Sequence, residues 1–163
     1  MSSSFLAFDF ETANMAADSA CSIGLVRVQN RKIIKKEAFL IRPPTKIFQF
    51  THIHQLTWND VKDAPTFGEL WPTLKPYFEE IEFAAAHNAS FDNRVLTAVC
   101  SKYSIKPPKF DLLCTVQLAR KTWGIHPTKL PDVCKALKIE LNHHEALSDA
   151  LACAKIVIAA KNS

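Results

Sequence analysis

The chain has 163 residues, 48% of them hydrophobic and 22% charged, a globular composition long enough for one domain with a full core. Its 3 glycines, Gly24, Gly68 and Gly124, lie far apart, so no Gly-rich phosphate cradle can be written, which excludes nucleotide-loop kinases, GTPases and dinucleotide dehydrogenases. The formal charge of +4 suits a polyanionic partner without requiring one, because the 20 Lys and Arg are scattered as on a solvated surface.

Phe5 to Phe10 is apolar and aromatic, the pattern of a central strand. Cys21 to Gln29 predicts a second strand, Gln29-Asn30-Arg31 a turn, and Lys32 to Ile41 a third strand. Together they predict an antiparallel meander ended by Pro43-Pro44. Thr57-Trp58-Asn59-Asp60 begins a short helix that stops before Pro65. Thr66-Phe67-Gly68-Glu69 is a capping-box pattern for the next helix, in which Pro72 and Pro76 predict a kink or a break. Phe83 to His87 reads as a short strand. Ser90 to Tyr103 carries Phe91, Val95, Leu96, Val99 and Tyr103 at helical spacing and ends before Pro107-Pro108. Phe110 to Cys114 predicts a fifth strand, followed by helices from Thr115 to Trp123, from Pro131 to Leu137 and from Glu145 to Ala160. A meander followed by alternating strands and helices predicts one mixed α/β domain over residues 1–163, with helices on both faces of the sheet.

The five cysteines, Cys21, Cys100, Cys114, Cys134 and Cys153, are odd in number and form no CxxC. Neither a zinc ribbon nor a disulfide framework is expected; buried free thiols of a reducing, cytoplasmic compartment are. The first five residues lack a basic region followed by an apolar core, so no signal peptide is expected. No apolar run reaches membrane-spanning length.

Four carboxylates stand apart from the surface acids. Asp9 and Glu11, two apart on one strand, project to the same face. The pair fits a strand that has reached solvent. It also fits a cation site, since like charges at the end of a buried strand repel unless something holds them. In the last helix, Ala146, Asp149, Ala150, Cys153 and Val157 form one face of small apolar residues with an aspartate in it. Asp149 is either an amphipathic boundary residue or a carboxylate with a partner. Asp92, in a first helical turn, suits the helix dipole but shares the inward face with Val95, Leu96 and Val99. His144 precedes Asp149 by five residues and can converge with it from a loop before the helix, which leaves His143 exposed and incidental. His52, His87 and His126 show no metal-ligand spacing. Such an oxygen-rich set selects Mg²⁺ or Mn²⁺ over zinc. Two of these ions about 3.5–4 Å apart promote in-line attack at phosphorus. An imidazole of ordinary pKa, about 6.5, suits the proton of the attacking water.

Phe8-Asp9-Phe10-Glu11-Thr12 resembles the first motif of the DnaQ-like 3′–5′ exonucleases, the DEDD superfamily. His87-Asn88-Ala89-Ser90-Phe91-Asp92 resembles the second, and His144-Glu145-Ala146-Leu147-Ser148-Asp149-Ala150 the third in its histidine-containing form. Order and spacing match over almost the whole chain. The resemblance implies a ribonuclease H-like fold with a mixed five-stranded sheet in the order 3-2-1-4-5. It implies two Mg²⁺ or Mn²⁺ ions held by Asp9, Glu11, Asp92 and Asp149, with His144 as general base. It further implies release of nucleoside 5′-monophosphates from a 3′ end, with Thr12 contacting the terminal nucleotide and Asn88 and Phe91 lining the same pocket. Where many members carry Ile-His-Gly-Ile-Thr, this chain has Ile53-His54-Gln55-Leu56-Thr57; if the glycine serves a positive φ, the loop here must differ. His54 and Leu56 are expected to pack on the last bases, and fit equally a loop anchor with Leu56 in the core.

The expected partner is a nucleic acid with a 3′ end, single-stranded, either DNA or RNA, with no membrane role. A homodimer and a polymerase partner both fit. A non-catalytic nucleic-acid-binding module within a polymerase or repair complex is the contrasting reading, and the presence of all five residues argues against it. An endonuclease on the same fold is disfavoured by the five-residue spacing from His144 to Asp149.

Overall fold

The computed structural model describes residues 3–162. Strand β1 (Ser4–Thr12) is apolar on both faces and lies at the centre of the molecule. Leu6, Phe8 and Phe10 point to one side, into a core shared with Phe67, Leu74, Val95, Leu96 and Val99. Phe5 and Ala7 point to the other, against Ala150, Cys153, Ala154 and Val157. Strand periodicity thus commits β1 to two cores at once.

Strands β2 (Ala20–Gln29) and β3 (Lys32–Leu40) complete the antiparallel meander, turned at Asn30 and Arg31, both with positive φ. That backbone matches the twist of a two-residue hairpin. Two one-turn helices, α1 (Thr51–His54) and α2 (Trp58–Val61), precede α3 (Phe67–Leu74). Thr57 with Asp60, and Thr66 with Glu69, form the capping boxes of α2 and α3. Pro72 stays within α3 on its exposed side, while at Pro76 the helix tightens into a 3₁₀ turn over Lys75–Phe78. Strand β4 (Phe83–Ala86), α4 (Ala89–Lys102), β5 (Asp111–Cys114), α5 (Thr115–Trp123), α6 (Leu130–Leu137) and α7 (Ala146–Lys161) follow.

The sheet order is β3-β2-β1-β4-β5, as the family resemblance implies. The β1–β2 and β2–β3 pairs are antiparallel; β1–β4 and β4–β5 are parallel. Helix α1 is the one element the sequence pattern leaves out: it is a single turn, and Phe50 at its start gives no side-chain cap. All five cysteines are free thiols, and among the described residues no helix is long and apolar enough to cross a membrane.

One close approach positions the site. Helix α7 begins directly over β2 at Gly24, where a β-carbon would stand 2.2 Å from the Ala146 carbonyl oxygen. Only glycine allows helix and strand backbones to meet so closely. Gly24 pairs with Asp9 across the β1–β2 ladder.

Candidate active site

Asp9 and Glu11 continue the row of β1 that faces α7. Asp149 sits in the first turn of α7, and the Gly24 contact sets that turn down beside them. One carboxylate oxygen from each of Asp9, Glu11 and Asp149 lies within 4.8 Å of the other two. Asp92 approaches at the start of α4, which follows β4 through His87 and Asn88. It is 1% exposed, and its Oδ1 accepts a 2.9 Å hydrogen bond from the Phe10 N–H. Asp92 therefore fixes β1 between its two acidic residues while lying outside the group of three.

These groups oppose one another. Burial, then the charges of Asp92, Glu11 and Asp149, raises the Asp9 carboxyl well above its ordinary value. Burial, with Asp149 and Asp92 nearby, pushes Glu11 up to about 8. Asp92 rises to about 8 for the same first reason, against the pull of its backbone N–H bonds. Asp149 is raised by burial and restrained by His143 and the His144 N–H. Asp9 Oδ2 is buried with no hydrogen-bond partner among the described residues. A buried, unpartnered oxygen among carboxylates that resist common ionisation is the environment a hard divalent cation relieves. Asp9, Glu11 and Asp149 fit such an ion, with Asp92 behind them.

Of the two histidines before α7, His143 is exposed, as expected, and in addition its Nδ1 lies 3.2 Å from Asp149 Oδ1. His144 donates its backbone N–H to Asp149 Oδ2 at 3.2 Å, from a left-handed conformation with φ of 68°. The two rings stack with centroids 3.6 Å apart. Burial, then the neighbouring His143, holds the His144 imidazole below its ordinary value. It is therefore neutral near pH 7 and able to accept a proton.

Gln55 itself takes the positive φ that the glycine suggests, at 67°. His54 is 8% exposed and anchors that loop. Its Nδ1 accepts from the Leu56 N–H at 3.0 Å, which leaves Nε2–H to donate to the Thr12 carbonyl at 2.8 Å. Leu56 is half-buried on a cleft wall and not in the core.

Two clefts flank the acidic residues. One, of about 480 Å³, is lined by Glu11, Ile53, Gln55, Leu56 and His144. The other, of about 640 Å³, is lined by Asp9, Asn88, Arg120, Lys129 and Asp149. His143 borders both. Asn88 lines the second cleft; Phe91 lines neither of these two and lies with the Arg94 guanidinium 5.9 Å from its ring. Thr12 is 5% exposed and lines neither cleft. His87 is held by Thr115 Oγ1 at 2.7 Å and the Thr128 carbonyl at 2.9 Å. Arg120 and Lys129 escape sequence reasoning, because nothing in their spacing separates them from the other scattered cations.

The Exonuclease family (RNase_T) matches residues 6–157. The chain is 31% identical over 163 residues to exodeoxyribonuclease 10 of Escherichia coli K12, across 95% of this chain and 67% of that protein. It is 31% identical over 166 residues to the PolC-type DNA polymerase III of Caldanaerobacter subterraneus, across 94% of this chain. The chain spans only 11% of that polymerase. The structure of exonuclease X in complex with 5′-overhanging duplex DNA superposes with a TM-score of 0.79 at 27% identity, covering 97% of this chain and 91% of that one. E. coli exonuclease I in complex with a dT13 oligonucleotide superposes with a TM-score of 0.82 at 17% identity, over 98% and 41%, a likeness of fold alone. With its three motifs drawn together on β1, α4 and α7 and nearly the whole chain matched, the protein belongs to the exonuclease family of DnaQ-like, DEDD-superfamily domains built on the ribonuclease H-like fold.

Proposed function

We propose that this domain is a divalent-metal-dependent 3′–5′ exonuclease that hydrolyses the terminal phosphodiester of single-stranded DNA or RNA and releases nucleoside 5′-monophosphates. The observation that carries the proposal is the cluster of Asp9, Glu11 and Asp149 with the unpartnered Asp9 oxygen, Glu11 lining one cleft and Asp9 and Asp149 the other. Two Mg²⁺ or Mn²⁺ ions on these residues and Asp92 would supply charge neutralisation at the attacked phosphorus and its leaving oxygen. His144, neutral and facing the cleft beside Glu11, takes the proton of the attacking water. Water oxygen bonds to phosphorus, the bond to the 3′ oxygen breaks, that oxygen takes a proton from solvent, and the shortened strand leaves with a free 3′ hydroxyl. His143 holds the Asp149 carboxylate in place. The terminal nucleoside occupies the cleft with Ile53 and Leu56, and the rest of the strand follows the cleft with Arg120 and Lys129.

The DNA-bound exonuclease X supports a nucleic-acid end as substrate. The identity to PolC-type polymerases supports proofreading beside a polymerase as one setting. The test is digestion of matched 5′-labelled DNA and RNA oligonucleotides, single- and double-stranded, with Mg²⁺. Stepwise shortening that stops with EDTA and with Asp149→Ala is expected. Activity that survives either, or cleavage of a closed circular strand, refutes the proposal.

A further inference from the structure

Gln55 holds a conformation that a β-carbon disfavours. Its φ of 67° and ψ of 8° are left-handed, at the end of α1. Three hydrogen bonds impose that conformation. The Gln55 N–H donates to the Thr51 carbonyl at 2.7 Å, and the Leu56 N–H to His54 Nδ1 at 3.0 Å. Thr51 Oγ1 donates to the Leu56 carbonyl at 2.6 Å. The backbone would accept glycine here at lower cost, as in the motif it resembles. What the chain gains is a side chain, and that side chain has no structural task. Gln55 is exposed, and its amide makes no hydrogen bond to the described residues. It stands on the wall of the cleft of about 480 Å³ that also holds Glu11 and His144. A cleft of this size takes a small ligand. The amide offers it one acceptor and two donors. Backbone strain retained beside reactive groups, where a strain-free residue would serve the fold, points to a role for the side chain.

We infer that Gln55 is a specificity-determining residue whose amide hydrogen-bonds a polar group of the 3′-terminal nucleoside, on its base edge or its ribose. The inference rests on the nuclease reading above and deepens it. Apolar walls such as Ile53 and Leu56 accept any base by packing; an amide distinguishes one nucleoside from another.

The test compares wild type with Gln55→Gly on single strands ending in each of the four bases, as deoxy- and as ribonucleotides. Gln55→Gly relieves the left-handed strain, so its melting temperature is expected to equal or exceed that of wild type. One lost neutral hydrogen bond is expected to raise KM about two- to tenfold for the preferred terminus, with kcat within about twofold. The preference itself is expected to flatten: across bases if the amide reads the base edge, between ribose and deoxyribose if it reads the sugar. Gln55→Asn, which tolerates the same backbone and keeps an amide, is expected to restore part of the preference. An unchanged KM overturns the inference, as does an equal rise for every terminus, which is the mark of a loosened loop. Calorimetry with 5′-mononucleotides and Mg²⁺ reads the contact without turnover. A wild type that fails to hydrolyse any strand overturns the nuclease reading, whereas equal mononucleotide affinities for wild type and Gln55→Gly overturn this one.

Discussion

Gly24→Ala tests whether backbone packing sets the acidic cluster. The new methyl would lie 2.2 Å from the Ala146 carbonyl oxygen, 2.5 Å from its carbon and 2.8 Å from the Leu147 nitrogen. All three are backbone atoms, so no side chain can swing aside. Helix α7 must retreat by roughly 1 Å to reach ordinary contact, the separation at which dispersion replaces repulsion. Overpacking of this kind costs about 1–3 kcal/mol, against about 0.5–1 kcal/mol that alanine gains over glycine in a strand. The clash outweighs the gain by up to about 2.5 kcal/mol, a fall of up to roughly 10 °C in melting temperature for a chain of this length. The same retreat withdraws Asp149 from Asp9 and Glu11. A 1 Å misplacement at a reacting centre costs about 100-fold, so activity should fall far more than stability. Thermal melts followed by circular dichroism and single-turnover hydrolysis with Mg²⁺ give the two numbers. A variant melting within 1 °C of wild type with at least a third of its rate, on the order of the scatter between preparations, would refute the claim that Gly24 positions Asp149.

The acidic cluster predicts a pH dependence with a defined sign. Folded-state values raised to about 8 for Glu11 and Asp92 mean that the folded, metal-free protein binds more protons than the unfolded chain above the ordinary carboxyl range. That stability is present at low pH and lost as pH rises through about 8. Urea midpoints in EDTA should therefore fall from pH 5 to pH 8, and Mg²⁺ should flatten the decline; a midpoint that climbs with pH in EDTA contradicts it. His143→Ala removes the ring contact to Asp149 and should lower kcat about 10- to 100-fold, the usual cost of losing a group that orients a ligand, with the melting temperature little changed. Equal kcat would return His143 to an incidental role. Lys129→Ala, in the cleft beside Asp9, should weaken single-strand binding equally across sequences and reduce the salt slope by about one. A slope identical to wild type places the strand elsewhere.

Much of the fold is legible because its signals are local. The apolar run of β1, the caps at Thr57 and Thr66, and the helical spacing through Val95 and Val99 each predict their own element. The acidic residues are legible for a different reason: Asp9 and Asp149 interrupt faces that are otherwise apolar. What the pattern misses depends on tertiary placement. His143 and His144 are equivalent as sequence; the positive φ of His144 turns its backbone N–H toward Asp149 and leaves the ring contact to His143. The burial of Thr12 and the Arg94 guanidinium 5.9 Å from the Phe91 ring are likewise set by tertiary packing. Arg120 comes to the second cleft only because α5 follows β5 beside the parallel pair.

Packing and charge disagree at this site, and the disagreement is one that a cation would relieve. The core on both faces of β1 would form with any small residue at position 149, since Ala150, Cys153 and Val157 already supply the contact. Gly24 then forces the start of α7 against the strand whose partner residue is Asp9. Each step is favourable through apolar burial, and together they confine three carboxylates within 4.8 Å, where none can ionise freely. Hydrogen bonds relieve the conflict unevenly. Asp92 receives the Phe10 N–H and Asp149 receives His143 and the His144 N–H, but Asp9 Oδ2 receives nothing. The remaining conflict is electrostatic and local, so it is removed by a bound cation without any change in the packing that created it. That separation lets the core supply stability while the acidic end stays poised, and on the proposed function it is why a loss of Asp149 should abolish turnover in a protein that still folds.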